Sequence, residues 1–505
     1  MSAGRLAETP MQPILPSRLE WPLFDAATTQ RMEAREREAL APHTLMRRAG
    51  LAVARLALAL APHAHSVWVA VGPGNNGGDG LEAAIYLHQW GVRVHVSLIG
   101  DASRLPSDAN DAWQRAQAAG VVIHADGRAP LATTDLAIDA LLGIGASRPA
   151  QGVLAQAIAQ LNALACPVLA VDLPSGLDAG TGQLPGAPGV VASHTLALLT
   201  LKPGLFTGSG RDHAGQVWFD TLGLDLRADA PTAWLAASRL AHPQAARRHA
   251  QHKGSFGDVA IVGGSTGMNG AAWLAARSAL GAGAGRVFVE LLADAAAVDP
   301  VCPELMFRPG WSGSAAEVLG RTTVVCGCGG GDAVRTPLPK LMSGAARLVL
   351  DADALNAIAS DTGLQTQLTR RAAKQLPSVL TPHALEAARL LGCSASEVQA
   401  DRLAAAQSLA DRFACCVVLK GSGSVIATKG QVPRINATGN AALATAGTGD
   451  VLAGWLGGLW AQAPSGSGFE VAIRAVREHG AAAEPPPPGP LCASDLIDAL
   501  RRAPH

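Results

Sequence analysis

Ser66-Val-Trp-Val-Ala-Val71, running straight into Gly72-Pro-Gly-Asn75-Asn76-Gly77-Gly78-Asp79-Gly80, is the stretch whose reading decides the fold. Five apolar residues after Ser66, three of them β-branched, predict a short strand, the glycine run ends it, and Leu81 to Trp90 continues with helical spacing. Strand, glycine loop and helix make the repeating unit of a parallel sheet wrapped by helices. The pattern extends in both directions. Upstream, Thr28 to Leu60 reads as helix, with a second amphipathic stretch from Thr44. Downstream, Val92 to Ile99, Val121 to His124, Leu136 to Leu142 and Val168 to Leu173 are the expected strands. Residues 224–251 are rich in Ala, Arg and His, carry Pro231 and Pro243, and show no strand pattern. A second alternation begins at Val259 to Gly263 and continues through Arg286 to Leu291, Thr323 to Cys326, Leu348 to Leu350, Val379 to Leu380 and Val417 to Lys420. The expectation is an α/β protein of two domains, 1–225 and 251–505, joined by a linker at 226–250. Each domain is a parallel sheet with helices, and ligands should bind beyond the carboxyl ends of the strands.

Composition agrees with two cores. A chain of 505 residues exceeds what one hydrophobic core supports, and 49% hydrophobic content is ample for two. Forty basic residues balance forty acidic ones, which argues against a nucleic-acid partner. The N-terminus has no basic-then-apolar signal pattern, and the longest apolar helical stretch, Leu51 to Pro62, carries Arg55 and is too short for a bilayer. Eight cysteines without a repeated CxxC pair suit a reducing, cytoplasmic setting. Cys326-Gly-Cys328 lacks the second pair that a zinc site calls for. Pro485 to Pro488 reads as a stiff spacer, and Gly/Ala-rich faces leave room for close packing in a homo-oligomer.

The first glycine run is not the GxGxxG of a dinucleotide fold. It sets Asn75, Asn76 and Asp79 beside bare backbone at a helix start, where amides attract anions. Two more strand ends carry acids: Asp139 before Ala-Leu-Leu-Gly143-Ile144-Gly145, and Asp172 before Leu-Pro-Ser175-Gly176. Each alone could be a helix cap. Together, at the edge of one parallel sheet, they supply oxygens for a hard cation and a carboxylate able to move a proton. With Leu45-Met46, Ala49-Gly50 and Lys202-Pro203-Gly204, these motifs resemble the NAD(P)H-hydrate epimerase domain over roughly residues 20–225. The resemblance implies a Rossmann-like three-layer α/β/α domain. It implies that Asn75, Asn76, Gly77, Gly78, Asp79, the loop Gly143, Ile144, Gly145, Ala146, Ser147, Arg148, Pro149, and Asp172 bind the hydrated nicotinamide. It further implies a potassium ion on Asn76, Asp139 and Ser175, with Asp172 as the proton carrier between R and S hydrates.

In the second half, Gly447-Thr448-Gly449-Asp450 precedes an apolar helix, so its amides form an anion hole with Asp450 alongside as a base or, more plainly, an N-cap. Around it stand Lys253-Gly254, Gly263-Gly264-Ser265, Gly270-Ala271, Asp351-Ala-Asp353, Thr381-Pro382-His383 and Lys420-Gly421-Ser422-Gly423-Ser424. In this order the motifs resemble the ADP-dependent NAD(P)H-hydrate dehydratase, a ribokinase-like α/β domain. The resemblance implies that Lys420, Gly421, Ser422, Gly423, Ser424 and Gly449 hold the nucleotide, with Mg2+ accompanying ADP. Ala271, Gly329, His383 and Asp450 would contact the hydrates NADHX and NADPHX. Asp450 would be the base that lets ADP phosphorylate the ring hydroxyl, so that phosphate leaves and NADH or NADPH returns with AMP. The loop Gly327-Cys328-Gly329-Gly330-Gly331 departs from the family's usual Gly-Pro-Gly-Leu-Gly and predicts a looser turn. His383 also reads as a buried structural histidine. Two other functions share parts of this pattern: a small-molecule kinase using the Asp450 centre, and a non-catalytic binding protein using the first domain.

Overall fold

The computed structural model describes residues 11–124, 133–145, 148–186, 188–226, 229–238, 248–293, 298–484 and 489–502. The spacer read at Pro485 to Pro488 lies outside them. Contacts divide the chain into two compact units, Met1–Ser17 with Trp21–Leu235, and Arg18–Glu20 with Ala236–His505.

The first unit holds strands β1 (Gln12–Pro13), β2 (Trp21–Leu23), β3 (Ser66–Val71), β4 (Arg93–Leu98), β5 (Val122–His124), β6 (Leu136–Ala140), β7 (Val168–Val171), β8 (His194–Leu198), β9 (Gln216–Asp220) and β10 (Ala233–Leu235). Eight of them form one sheet in the order β1-β9-β8-β7-β6-β3-β4-β5. Only the edge pair β1/β9 is antiparallel. Strand β3 is buried throughout. Val67, Val69 and Val71 pack with Met46, Leu56 and Leu81 on one side, while Trp68 and Ala70 pack with Ile158 and Leu161 on the other. Alternate side chains feeding two helical layers is the physical meaning of a near-continuous apolar strand. The expected linker needs correcting, because β10 lies inside it and pairs antiparallel with β2. That partner is far upstream, so no local pattern announces the strand.

The helix after β3 begins at Asn75, earlier than the sequence suggests, and runs to Gln89. The run read as a loop is therefore its first turns. A Cβ at Gly77 would stand 2.1 Å from the Gly72 carbonyl oxygen, and one at Gly78 2.5 Å from Met46 Cε. These glycines let the helix seat directly on the strand end, an advantage that outweighs their low helix propensity.

The second unit contains β11 (Asp258–Gly263), β12 (Arg286–Leu291), β13 (Met306–Phe307), β14 (Thr322–Cys326), β15 (Arg347–Leu350), β16 (Ser378–Leu380), β17 (Cys416–Leu419), β18 (Val425–Ala427) and β19 (Arg434–Ile435). Their order is β13-β12-β11-β14-β15-β16-β17-β18-β19. Pairing is parallel from β13 to β17 and antiparallel beyond. Val259 and Ile261 face the helices Asn269–Gly281 and Thr448–Gln462, and Ala260 and Val262 face the opposite layer. In both units the strand order reverses beside the first long strand, between β3 and β6 and between β11 and β14. Such switch points open a crevice at the carboxyl ends of the strands.

Candidate active sites

In the first unit that crevice is a cavity of about 570 Å³, lined by loops leaving β3, β6, β7 and β8 and by helices upstream of β3. Asn75, Asn76, Asp79, Gly143, Ile144, Gly145 and Asp172 all line it. Gly77 and Gly78 are turned into packing instead, and Arg148 and Pro149 are exposed outside the lining set. Ala146 and Ser147 lie outside the described residues.

Asp139 is fully buried at the end of β6. It caps no helix. Its carboxylate accepts from Ser175 Oγ at 2.6 Å, Ser175 N at 2.8 Å and Leu141 N at 3.2 Å. Ser175 Oγ accepts in turn from Leu142 N at 2.9 Å, and Asn76 Nδ2 donates to the Leu142 carbonyl at 3.1 Å. Asn76, Asp139 and Ser175 thus meet around one backbone turn. Burial pushes the Asp139 carboxyl up to about 6, against the pull of the Ser175 bonds.

Asp172 follows β7 with a left-handed backbone, φ 66°, a strained conformation for a residue with a side chain. Its carboxylate accepts from Leu198 N at 3.0 Å and is ion-paired with Lys202, whose ammonium also donates to the Leu198 carbonyl at 2.8 Å. Lys202 is wholly buried. The sequence reading quotes Lys202 in a motif without a role; only the fold reveals its partner. Glu33 and Asp108 also line the cavity unanticipated. Burial, then the charges of Asp172 and Glu33, hold the Asp79 carboxyl well above the usual range.

The second site gathers the loops after β11, β14, β15, β16 and β17. Gly447, φ 88°, is the N-cap of the helix Thr448–Gln462, so Thr448, Gly449 and Asp450 form its first turn with amides pointing outward. Asp450 makes no capping bond. Its carboxylate lies against Cys328 and Asp351. Burial and the charge of Asp351 push it up to about 6, while Cys328 and Lys420 pull it back. Lys420 Nζ donates to Asp351 Oδ1 at 2.7 Å and lies 3.9 Å from Glu386. Burial would strip its proton, yet those carboxylates more than offset it and raise its pKa. A Cβ on Gly449 would come 3.4 Å from Lys420 Nζ, so the expected nucleotide residues from two distant segments do converge.

The turn Lys420–Ser424 is braced from behind. Buried Arg402 donates to the carbonyls of Leu419 at 3.2 Å and Lys420 at 3.3 Å. Gly421, φ 143°, has no room for a Cβ, which would stand 2.8 Å from the guanidinium. Gly329 and Ala271 are adjacent, a Cβ on the glycine falling 2.9 Å from that of the alanine. His383 is neither buried nor catalytically free. It is half-exposed and caps the helix Ala384–Leu391, its ring accepting from Leu385 N at 3.1 Å and Glu386 N at 3.3 Å. The glycine loop is also not loose. Gly327 N bonds to Val262 O at 3.0 Å, Gly264 N to Cys328 O at 2.9 Å, Ser265 N to Gly329 O at 2.6 Å and Gly331 N to Asp353 Oδ2 at 2.8 Å. Those bonds replace the rigidity a proline would bring.

Two crevices of this chemistry on two α/β units define a two-site enzyme of the nucleotide-binding class, and comparison with known proteins agrees. Residues 42–204 match the family described as YjeF-related protein N-terminus, and residues 259–495 match NAD(P)H-hydrate dehydratase. The bifunctional NAD(P)H-hydrate repair enzyme Nnr of Escherichia coli (strain K12) is 37% identical over 473 residues, 89% of this chain and 87% of that protein. Its counterpart in Coxiella burnetii is 34% identical over 490 residues, 94% and 98%. The chain belongs to the family of bifunctional NAD(P)H-hydrate repair enzymes. A Bacillus subtilis ADP/ATP-dependent NAD(P)H-hydrate dehydratase, co-crystallised with ATP/Mg2+, is 29% identical over 53% of this chain and 94% of its own, with a TM-score of 0.45. No helix among the described residues is long and apolar enough to cross a membrane.

Proposed function

We propose that the first unit interconverts the R and S hydrates of NADH and NADPH, and that the second dehydrates the S form with ADP. The observation that carries the second activity is Asp450, in the first turn of a helix yet not capping it, with Gly449 and Lys420 beside it. Asp450 takes the proton of the ring hydroxyl as that oxygen attacks the β-phosphorus of ADP. The amides of Gly447 to Gly449 hold the charge that develops on the phosphoryl oxygens. Lys420, Gly421, Ser422, Gly423 and Ser424 seat the nucleotide, and Ala271 and Gly329 leave the close surface on which the hydrated ring lies. His383 borders this surface through its cap. The phosphate then departs with the C–O electron pair and the adjacent ring carbon gives up a proton to solvent, its C–H pair restoring the double bond, so that NAD(P)H, AMP and inorganic phosphate are left. A magnesium ion would arrive on the ADP phosphates and offset their charge; no side chain is assigned to it.

In the first unit Asp172 carries the proton and Lys202 holds it in place. Asp79, whose carboxyl is raised by burial and by the charges of Asp172 and Glu33, lines the same cavity and bonds the hydrate. Potassium fits Asn76, Asp139 and Ser175, because the donors are all oxygen and a buried carboxylate there has hydroxyl and amide neighbours but no basic side chain bonded to it among the described residues. When bound, the ion would fix the Leu142 turn.

The test uses the full chain with a mixture of both hydrates and ADP, following the near-ultraviolet absorbance of the reduced ring. Complete recovery is expected. Asp172→Asn should return only the S fraction and leave the R fraction behind. No recovery with either ADP or ATP would sink the dehydratase reading, and full recovery at normal speed in Asp172→Asn would remove that residue's role. A kinase of another small molecule would instead consume ATP without restoring absorbance.

A further inference from the structure

The Cys326-Gly-Cys328 motif does not chelate through its own pair. Cys326 ends β14 and is buried on one face of the sheet, while Cys328 belongs to the core on the other face. What Cys328 meets instead is acidic. Its sulfur and one carboxylate oxygen each from Asp351 and Asp450 all lie within 4.8 Å of one another. Cys328 is fully buried and Asp351 is 2% exposed, so these groups are held together by the fold and not by a shared surface.

We propose that Cys328, Asp351 and Asp450 form a binding site for a thiophilic divalent cation, with zinc as the probe, and that its occupancy shuts the dehydratase site. Three features carry this. Asp351 stands at the N-cap position of the helix Ala352–Ala359 without capping it, and Asp450 lies in the first turn of its own helix. Among the described residues only Oδ1 of Asp351 is engaged, by Lys420 and by Thr381 Oγ1 at 2.8 Å, which leaves the other oxygen available. Two carboxylates and a thiolate bring three negative charges against Lys420, so a dication makes the cluster neutral. Tetrahedral zinc needs ligand atoms roughly 3.2–3.8 Å apart, within about 1 Å of what the site presents. Sulfur in the set selects zinc over magnesium, which demands an octahedron of oxygens. Binding through the sulfur takes the thiol proton, which leaves to solvent. A fourth position stays open to water or to a phosphate oxygen. The binding stands on the cluster alone; the inhibition rests on the role proposed for Asp450.

The full chain, reduced and stripped with chelator, is titrated with zinc against a chromophoric competitor and, separately, with cobalt. Wild type should take up one ion at this site and develop a thiolate-to-cobalt charge-transfer band. Cys328→Ser and Cys328→Ala, each with a native-like melt, should lose the band and bind roughly 100-fold more weakly. In the dehydratase assay with magnesium and ADP, zinc should slow wild type at least about tenfold while each variant stays within about twofold of its own zinc-free rate. An unchanged cobalt band in the Cys328 variants, or no uptake by wild type at roughly 100 µM zinc, overturns the proposal. If the wild-type chain has no dehydratase activity, the function proposed for Asp450 falls, while metal uptake still decides the site.

Discussion

Lys202 has no exposed surface, and its ammonium bridges the Asp172 carboxylate and the Leu198 carbonyl. Breaking a buried pair by removing one partner leaves an uncompensated charge, a penalty of about 3 kcal/mol or more. Lys202→Met should therefore lower the melting temperature of the chain and slow epimerisation, so that the R hydrate outlasts the S. An R hydrate cleared at wild-type speed by a destabilised protein would make Lys202 purely structural. Asp450 stands in a different setting, against a thiol and another acid, and Asp450→Asn keeps the shape while removing the base. The expected loss in kcat for dehydration is about 10²–10⁴-fold, with the KM for ADP little changed. Steady-state rates on the S hydrate check this; a loss carried mainly by KM would make Asp450 a nucleotide ligand instead. Asp450 and Asp172 were legible because each closes a strand or opens a helix beside glycines. Lys202 was not, because a lysine acquires meaning only from the carboxylate that the chain folds against it. Cys328 was legible as a departure from Gly-Pro-Gly, but its neighbours Asp351 and Asp450 belong to other loops.

The strands whose sequence is apolar on both faces were the easiest elements to read, and Arg286–Leu291 and Ser66–Val71 have the observed bounds. Gln216–Asp220 was missed although it alternates, since one buried face on a five-residue segment is a weak signal beside continuous apolar runs. The helix start at Asn75 was missed for the opposite reason: three glycines in its first six residues argue for a loop, and tertiary packing overrides that preference. The same device recurs in the second unit, where helices Asn269–Gly281 and Thr448–Gln462 approach closely enough for Ser278 Oγ to donate to the Val451 carbonyl at 2.7 Å. A Cβ on Gly454 would sit 2.0 Å from Ala275 O. Gly454→Ala gains helix propensity, but the clash with rigid backbone must win, for a net destabilisation of about 1–3 kcal/mol. Because this helix carries the Gly447–Asp450 turn, dehydration should weaken while epimerisation, built on the other unit, holds. Differential scanning calorimetry with both assays tests this; a more stable protein would mean that the helices separate at little cost.

Across the whole molecule, stability against acid should be set in part by one histidine beneath the second site. His479 is buried, and its Nε2–H donates to the Thr448 carbonyl at 2.9 Å, directly under the turn that presents Asp450. Burial depresses its pKa to about 4, against the opposing pull of the Thr448 bond. The unfolded chain takes up a proton as pH falls through about 6.5, whereas the folded chain resists until about 4. The histidine's contribution is thus complete above pH 6.5 and drains away on acidification between those values. Each unit of pKa difference corresponds to about 1.4 kcal/mol, so the loss by pH 5 is roughly 2 kcal/mol. The raised carboxyls of Asp139, Glu386 and Asp450 act with the opposite sign over the same range, since a protonated buried acid no longer carries a desolvated charge. The net slope of the wild type therefore hides the histidine, and a difference measurement isolates it. His479→Gln keeps an N–H donor without a titrating ring. Denaturant unfolding of the two proteins at pH 7.5 and pH 5 should yield a gap between them that shifts by roughly 2 kcal/mol in favour of the variant at the lower pH. If the gap is the same at both pH values, His479 is protonated in the folded chain, and the Thr448 carbonyl is held by an imidazolium.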